Sequence, residues 1–511
     1  MKTLKIKLKQ HTPLIHFQHD QEGATLRASE VKPKLDRFVL TKLGEGDFKV
    51  GIERAKKKGW LIGKGEHLSL DYKMKIEDEP DNIYVMNTNE KRIYSANDER
   101  KDKKNKYIIE NVEVGQKIEV NNQDETKNKY RYVIKEGNKS FFGKLRKSDS
   151  TIIYDLKSYP CFFANMDANI TNPSEYRKII FTENPFTLII HSKKVNLLDY
   201  LNNSDLITSF FLNHNFGTRQ SKGFGSFYVD ENDVLYRPPY SQYRFNVQVD
   251  EDDYYDEFFR LFNVIELFTR TLRAGINEKR GQQTVFYFKS LAFKYCKDVL
   301  KAEWDKKCVK KQFYFKDSPR RRDSLIKQRK WYANDEYHDI LFYDSSNGYD
   351  LRDLLGYSTN EQWLSYKDSI EKKVAVIKDE RLEYPRKEDK LPVERMRSPL
   401  LIKPICNVDE YGKVSYEIFL LLQDKEVGMS SFKKQKEICF FSKREKNQKG
   451  QLKRFMLKLP QGFSMSDYFD YIFNETRLNF NISTHVEDVY QTHENYKLLE
   501  DIFTQVKDNL K

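Results

Sequence analysis

The sequence has few cysteines and no long apolar run. Its five cysteines are odd in number and include no CxxC pair, which argues against a disulfide framework and against a zinc ribbon. No apolar segment approaches the roughly 18 residues that cross a membrane, and the basic, strand-like N terminus does not resemble a signal peptide. These absences predict a cytoplasmic, globular protein with reduced, structural thiols.

The sequence also shows no strong pattern for a bound metal or cofactor. Its histidines form no HxH or HxxxH pair, so the two local groups of candidate ligands, 16–20 (HFQHD) and His338-Asp339, are interpreted as surface polar residues. The main glycine-containing loop matches neither the GxxxxGK[ST] pattern nor the GxGxxG spacing. We therefore predict neither a metal nor a cofactor.

Positive charge is in moderate excess. Ninety Lys and Arg against 77 Asp and Glu give a formal net charge of +13, which suits a polyanionic partner. Basic residues also alternate with aromatic ones in 130–132 (YRY), 310–316 (KKQFYFK) and 327–332 (KQRKWY). Because this combination supplies both phosphate-seeking charge and stacking surfaces, it favours nucleic acid over a merely charged, soluble surface.

The most informative segment is the glycine-rich loop at 216–227, FGTRQSKGFGSF. Glycines at three positions allow a backbone with positive φ and a close approach of a ligand to main-chain N–H groups. The loop contains no carboxylate and no nucleophile–base pair, so it predicts binding and not catalysis. Three glycines and four donor residues make up this prediction: Gly217, Gly223 and Gly225, with Arg219, Gln220, Ser221 and Lys222 between them.

The order of predicted elements indicates an α+β fold with two domains. Pro238-Pro239 can neither continue a helix nor lie in a central strand, so we place the boundary there, giving domains 1–237 and 238–511. Each half begins with a strand followed by an amphipathic helix, as in a β-α-β-β-α-β unit. The predicted fold is thus a tandem of ferredoxin-like (RRM-like) domains with large charged insertions at about 44–150, expected to be rich in β structure, and about 300–390.

Within the first half, Leu4, Ile6 and Leu8 alternate with lysines and predict a strand. Ser29 is a candidate N-cap for a helix that places Pro33 in its first turn. The remaining predicted elements are strands at 159–165, 177–181, 185–191, 225–229, 243–249, 397–404, 414–422 and 438–441, and helices at 197–211, 258–275, 468–472 and 498–506.

Three segments in this order carry a family resemblance. The residues 12–14 (TPL), 23–32 (GATLRASEVK) and the glycine-rich loop together resemble the RAMP superfamily of CRISPR-associated RNA-binding proteins. In more detail they look like the large two-domain subunit at the head of Cmr-type (type III-B) effector complexes, and 397–400 (RSPL) is similar to a strand in its second half. The resemblance implies a subunit of a multi-protein complex that holds CRISPR RNA and target RNA without a catalytic centre of its own.

The resemblance adds four residues to the RNA-binding candidates of the loop. Those from the first half are Arg27, Ser29 and Lys32, and the one from the second half is Arg397. For Arg27, an ion pair with Glu30 is an equally good interpretation, and Arg397 could equally pair within its own domain.

Two other classes of function stay open at this point. One is a metal-independent RAMP ribonuclease that processes CRISPR transcripts, in which a histidine would act as acid and base. The other is a structural subunit that is basic only for solubility. The histidines that make the first alternative worth testing are His16, His19, His191 and His214.

Overall fold

Helices and mostly antiparallel sheets make up the chain, which confirms the predicted α+β class. None of the described helices is both long enough and apolar enough to cross a membrane. The computed structural model describes residues 2–15, 26–63, 68–77, 83–87, 117–119, 130–136, 139–145, 152–154, 178–249, 254–280, 283–301, 303–304, 348–357, 360–363, 368–374, 376–378, 381–383, 396–423, 437–446, 452–460, 463–474 and 480–510.

The chain divides into two compact units, and the chain passes between them several times. The long helix α5 (Tyr254–Arg273) contributes its first part to the first unit and its last part to the second. The first unit comprises Met1–Pro239, Val247–Glu266 and Pro404–Tyr416, and the second comprises Tyr240–Asn246, Leu267–Lys403 and Glu417–Lys511.

The first unit is built on a four-stranded antiparallel sheet in the order β13-β1-β12-β5. The other sheets are the four-stranded β10-β9-β8-β7, the three-stranded β2-β11-β6 and the two-stranded β3-β4. The strands are β1 (Lys2–Gln10), β2 (Leu14–Ile15), β3 (Leu61–Ile62), β4 (Ser69–Leu70), β5 (Lys73–Glu77), β6 (Ile83–Asn87), β7 (Lys117–Glu119), β8 (Tyr130–Glu136), β9 (Lys139–Leu145), β10 (Ile152–Tyr154), β11 (Lys178–Thr182), β12 (Phe186–Ser192) and β13 (Phe227–Val229), and the helices are α1 (Ala28–Leu43), α2 (Phe48–Lys57), α3 (Val195–Leu201) and α4 (Ser204–Leu212).

The main sheet follows from the alternation in β1. Leu4, Ile6 and Leu8 are buried, whereas the lysines at positions 5 and 7 are exposed. Helix α1 follows β1, and helices α3 and α4 follow β12, so the sheet and its helices are arranged as strand, helix, strand, strand, helix, strand. A tandem of two ferredoxin-like domains stays a prediction.

Helix α1 starts earlier than the sequence predicts. Arg27 is the N-cap residue with an extended backbone, and its carbonyl accepts from the N–H groups of Glu30 (2.9 Å) and Val31 (3.1 Å). The prediction of Ser29 as N-cap is therefore wrong, because the helix already begins at Ala28. Pro33 lies inside the helix and not in its first turn, where it forfeits the hydrogen bond to the carbonyl four residues earlier.

Local capping also corrects the prediction of one helix at 197–211 and the prediction of β structure at the start of the first insertion. The single helix predicted for 197–211 is divided into α3 and α4, because the Asn203 side chain accepts from the Leu206 N–H (2.9 Å) and starts a new helix. Asp47 does the same for α2, accepting from the Lys49 N–H (2.7 Å). Helix α2 thus occupies the start of the region predicted to be a β-rich insertion. The strand predicted at 159–165 lies outside the described residues, as do the basic-aromatic segments at 310–316 and 327–332.

The second unit contains several sheets and a group of helices near the C terminus. Its largest sheet has the order β17-β18-β26-β25-β20-β19, and β14-β24-β23 form a three-stranded sheet through which the unit division passes. The strands from 240 onward are β14 (Arg244–Val249), β15 (Ile276–Arg280), β16 (Gln283–Phe288), β17 (Glu303–Trp304), β18 (Gly348–Tyr349), β19 (Asn360–Trp363), β20 (Asp368–Val374), β21 (Val376–Lys378), β22 (Arg381–Glu383), β23 (Leu400–Val408), β24 (Val414–Leu422), β25 (Glu437–Lys446) and β26 (Leu452–Lys458), and the helices after α5 are α6 (Leu291–Asp298), α7 (Met465–Phe473), α8 (Ile482–His485) and α9 (Glu494–Asp508), with a 3-10 turn at Arg352–Leu355.

Aromatic packing fixes the C-terminal helices of this unit. The ring of Phe503 on α9 lies 6.0 Å from that of Phe268 and 5.5 Å from that of Phe473. Phe268 in turn packs on Phe245 of β14, with centroids 5.3 Å apart. All four side chains are buried, so the last helix of the chain is held against elements that precede it by more than half of the second unit.

A buried ion pair joins the 3-10 turn to β20. Lys372 Nζ lies 2.6 and 2.8 Å from the two carboxylate oxygens of Asp353, and both side chains are almost completely excluded from solvent. Arg273 Nη2 lies 3.7 Å from the same carboxylate. A buried carboxylate of this kind depends on its cationic partners for compensation.

Removing the lysine of this pair should destabilise the second unit. We expect Lys372→Met to lower the free energy of unfolding by about 3–5 kcal/mol, because the Asp353 carboxylate stays buried and Arg273, at 3.7 Å, is its remaining cationic partner among the described residues. Urea denaturation followed by circular dichroism measures this. The exposed Lys73→Met serves as control, with a change within about 0.5 kcal/mol. The double change Asp353→Leu with Lys372→Met should recover much of the loss, and a loss below about 1 kcal/mol for the single change would contradict the assignment.

Candidate nucleic-acid interface

The glycine-rich loop, residues 216–227, connects α4 to β13 and is closed at its base. The N–H of Phe216 donates to the carbonyl of Gly225 (2.9 Å), which brings the two ends together. Phe216 and Phe227 are fully buried beside each other, and the Phe224 ring stacks on Phe262 of α5 with centroids 3.9 Å apart. The loop therefore has a core of its own and a defined conformation.

The protein's own backbone explains the glycines. All three have positive φ: +72° at Gly217, +89° at Gly223 and +64° at Gly225. A Cβ at Gly225 would lie 2.1 Å from the Phe216 carbonyl oxygen, and one at Gly217 would lie 2.5 Å from the Ile15 oxygen. Both the backbone conformation and the close approach of neighbouring chain thus require glycine here.

The segment 11–15, which follows β1, braces the loop along its length. Thr218 and Gly225 donate their N–H groups to the carbonyls of Ile15 and Pro13, at 2.8 Å each. The buried Thr12 hydroxyl donates to the Gly223 carbonyl (2.6 Å) and accepts from the Ser226 N–H (2.9 Å). The TPL segment and the glycine-rich loop therefore hold each other in place through direct hydrogen bonds.

Most main-chain donors of the loop are engaged inside the protein. Besides those bonded to 11–15, Lys222 N–H donates to the Arg219 carbonyl (2.9 Å) and Gly223 N–H to the Gln220 carbonyl (3.3 Å). The Gly217 N–H donates to the Glu30 carboxylate. These N–H groups are bonded inside the protein and so do not form an anion-binding nest.

Arg219 and Lys222 lie on the turn at the far end of the loop and are half-buried. Arg219 has φ +59°, a left-handed conformation that costs a residue other than glycine about 1–2 kcal/mol. Ser221 lies between them, also half-buried. The fold thus holds a guanidinium-bearing residue at a position that glycine or asparagine would occupy more easily, which is typical of a residue kept for its side chain.

Gln220 and Lys34 support the loop from inside. Gln220 Nε2 donates to the Gly217 carbonyl (2.6 Å). Lys34 Nζ donates to the Asn215 carbonyl (2.8 Å) and to Gln220 Oε1 (3.0 Å), and lies 4.6 Å from the centre of the Phe216 ring. The sequence reasoning missed Lys34. The available signal was its position four residues after Glu30, which places both on the side of α1 that contacts the loop.

Among the RNA-binding candidates on α1, Lys32 makes contacts within the protein. Lys32 Nζ pairs with Asp36 (2.9 Å), donates to the Leu70 carbonyl (2.9 Å) and lies 3.7 Å from the centre of the Tyr72 ring. Burial, with the nearby Asp36 carboxylate, raises the pKa of Tyr72 well above its usual value. Lys32 therefore has a clear structural role.

The first turn of α1 lies beside the loop, because Glu30 accepts from Gly217. Arg27, the residue before this turn, is half-buried, and Ser29 is exposed. Arg397 belongs to the second unit, where it is exposed and its Nη2 donates to Gln423 Oε1 (3.1 Å).

Of the four candidate histidines, the structure describes His191 and His214, and both make structural contacts. His191 Nδ1 lies 2.8 Å from the Thr3 hydroxyl on the neighbouring strand. His214 Nδ1 donates to the Phe210 carbonyl (2.8 Å), and its ring packs edge-on against Phe38. His16 and His19 lie outside the described residues, as do the candidate ligands at 338–339. No group of three potential metal ligands occurs in the part of the chain that was described.

Comparison with protein families gives matches along most of the chain. Residues 1–142 and 93–276 match the Cmr1 N-terminal domain. Residues 287–506 match the Cmr1 C-terminal domain. A search of curated proteins found no match.

The packing of the loop predicts different outcomes for two glycines with the same φ. Gly225→Ala should lower the free energy of unfolding by about 3 kcal/mol or more, since it combines left-handed strain with a collision against the Phe216 oxygen. Gly59→Ala is the control, because Gly59 also has φ +64° and its Cβ would meet nothing within 4 Å. We expect a cost of about 1–2 kcal/mol there. Equal losses in thermal or urea denaturation would contradict the packing argument.

Proposed function

The chain belongs to the Cmr1 family of type III-B CRISPR-associated proteins, and on this basis we propose that it binds RNA in its effector complex through the far end of the glycine-rich loop. Membership of the family makes it a subunit of a type III-B effector complex. The proposed ligand is the sugar-phosphate backbone of the CRISPR RNA, the target RNA or both, and the proposed role is antiviral defence. Arg219 and Lys222 would make the principal contacts.

The observation that carries the proposal is that the residues which fix the loop's conformation are different from the two cations at its far end. Main-chain groups and the side chains of Gln220 and Lys34 fix its conformation. Arg219 and Lys222 lie at its far end, and Arg219 keeps a left-handed backbone there. A cation placed on a fixed loop loses little side-chain and loop entropy when it meets a phosphate, so the arrangement favours binding.

Arg27 is proposed as a secondary contact. It precedes the first turn of α1, which lies against the loop through Glu30 and Gly217. Ser29, exposed in the same turn, could add a hydroxyl donor to phosphate. Arg397 in the second unit, the tandem of ferredoxin-like domains and the domain boundary at Pro238-Pro239 stay parts of the proposal without further support.

A binding role without chemistry agrees with the family, whose members are non-catalytic subunits. The two candidate histidines that are described, His191 and His214, also bond to partners in a sheet and in a helix turn, which are common structural roles. The ribonuclease alternative therefore gains no support from these two histidines.

Removing the two cations should weaken RNA binding without unfolding the protein. We expect Arg219→Ala with Lys222→Ala to lower affinity for single-stranded RNA at least tenfold and to reduce the slope of log K against log salt by about 1.4, the value for two lost phosphate contacts. The loss should be the same for different RNA sequences, because phosphate contacts do not read bases. Filter binding over a salt series measures all three quantities.

The matched control removes two exposed lysines of α2, Lys56→Ala with Lys57→Ala, and should leave affinity nearly unchanged. Arg219→Lys with Lys222→Arg keeps the charge and should retain most of the binding. Equal weakening by the control and the loop variant would show that only net charge matters, and the loop would lose its assigned role.

The ribonuclease alternative predicts metal-independent cleavage. We expect the wild-type protein to leave CRISPR-repeat RNA intact in EDTA, so that replacing His191 and His214 by alanine has no cleavage to remove. Denaturing gel electrophoresis of end-labelled RNA tests this. Site-specific cutting that either replacement abolishes would establish a nuclease in place of the binding role.

A further inference from the structure

The main sheet of the first unit has one basic face that the loop does not include. Helices α1, α3 and α4 contact the sheet, and the side chains of Leu4, Ile6 and Leu8 are buried on one face. Lys2, on that same side of β1, reaches Asp199 of α3, which places a helix there. The opposite face carries the alternate residues of each strand.

Two columns of lysine run along this face on either side of β12. Lys5 and Lys7 form one column on β1, and Lys73 and Lys75 form the other on β5. All four side chains are exposed. Because β12 lies between the two strands, the columns are about 9–10 Å apart, and the lysines within each column are about 7 Å apart.

The strand registers show that β12 provides a low floor between these columns. Ile189 pairs with both Lys5 and Lys75, and Thr187 and His191 occupy the neighbouring positions on the same face. Ile189 is only 2% exposed, and the other two are half-buried. The face is therefore a shallow strip lined by ammonium groups.

Few carboxylates oppose this charge. Glu77 on the same face pairs with Lys75. The Asp233 carboxylate accepts from the main-chain N–H of Lys7 (2.7 Å). For Lys5, Lys7 and Lys73 the described residues include no ion-pair partner.

We propose that this lysine strip, defined by Lys5, Lys7, Lys73 and Lys75, is a second contact surface for the sugar-phosphate backbone of single-stranded RNA. The proposal rests on the proposed RNA-binding function and extends it to different residues. Ammonium groups in two columns can neutralise successive phosphates of a strand that lies along β12. The described face carries no exposed aromatic side chain for stacking, so it should not select among bases.

An acidic protein partner is the competing occupant, and the composition of the strip disfavours it. Protein–protein interfaces depend on buried aromatic, apolar or arginine anchors, and lysine is depleted in them. The only large apolar residue of the floor, Ile189, is already covered. Charge without an anchor suits a phosphate backbone better.

Part of the strip lies on β1, and the loop is bonded to the segment that follows β1. The two surfaces are therefore close enough for one RNA to reach both. The lysine column occupies the middle of the strand, and the segment 11–15 that braces the loop follows its end. Lys7 and Thr12 are separated by roughly 16 Å of extended chain. Between them Lys9 is half-buried. An RNA of several nucleotides spans that distance.

Neutralising the strip tests the proposal. The variant Lys5→Gln, Lys7→Gln, Lys73→Gln keeps polar side chains of similar length, and the control Lys49→Gln, Lys56→Gln, Lys57→Gln removes the same charge from exposed positions on α2. For a U12 RNA in 0.1 M salt, we expect the strip variant to lose roughly ten- to hundredfold in affinity and about 2 from the salt slope. An A12 RNA should show the same loss, and the α2 control should change affinity less than threefold.

Lysine footprinting of the wild-type protein gives a second measurement that needs no variant. Bound U12 should protect Lys5, Lys7 and Lys73 from acetylation and leave Lys49, Lys56 and Lys57 reactive. Unchanged reactivity of the strip lysines, or a strip variant that binds RNA as the wild type does, would overturn the proposal. If that variant binds RNA normally but no longer joins the effector complex, the strip binds a protein subunit and the RNA assignment is wrong.

The outcomes also separate this inference from the function on which it rests. A wild-type protein that binds no RNA would remove both. Loss of affinity in the strip variant, with none in the Arg219 and Lys222 variant, would move the RNA site from the loop to the sheet. The reverse result would leave the loop as the site and refute the strip.

Discussion

The Thr12 hydroxyl makes the contact on which the candidate site depends. It is fully buried, donates to the Gly223 carbonyl and accepts from the Ser226 N–H. Both hydrogen bonds cross from the segment after the first strand to a loop that comes much later in the chain. Because an unpaired buried hydroxyl or carbonyl costs about 1–3 kcal/mol, the two segments stabilise each other's position.

This mutual support determines which groups of the loop are engaged inside the protein. Carbonyls of 13 and 15, the Glu30 carboxylate and carbonyls inside the loop accept from most of its main-chain N–H groups. Lys34 and Gln220 act as internal supports, and Lys32 is committed to Asp36. In the proposed function, a polyanion would meet the far end of the loop, where Arg219 and Lys222 lie. A basic loop that looks uniformly suited to phosphate thus contains several residues that support its conformation.

Short-range patterns predicted the strands well. The strand predicted at 414–422 has the bounds that β24 has, and the leucine and isoleucine alternation of β1 identified both its buried and its lysine-bearing face. The strand predicted from Arg397 begins only at Leu400, after the Ser398-Pro399 step. In these elements the period of two residues is the determining signal, and it is local.

The predictions that were wrong or incomplete concern helix ends, where neighbouring residues compete as caps, and residues whose roles depend on distant contacts. Ser29 has the chemistry of an N-cap, but the extended backbone of Arg27 starts the helix earlier. Asn203 divides a helix whose apolar pattern continues across the break. For the site, glycine and charge located the loop, but the roles of Lys34 and Gln220 follow from hydrogen bonds between α1 and the loop, and the Glu30–Lys34 spacing indicates only which side of α1 is involved. The domain boundary at Pro238-Pro239 stays a prediction.

Photo-crosslinking tests the central claim most directly. The full chain is bound to a single-stranded RNA that carries 4-thiouridine, irradiated, digested, and its crosslinked peptides are identified by mass spectrometry. We expect crosslinks in the peptides that contain 217–225, and their loss when Arg219 and Lys222 are replaced by alanine. Crosslinks confined to the second unit, or an unchanged pattern in that variant, would contradict the account.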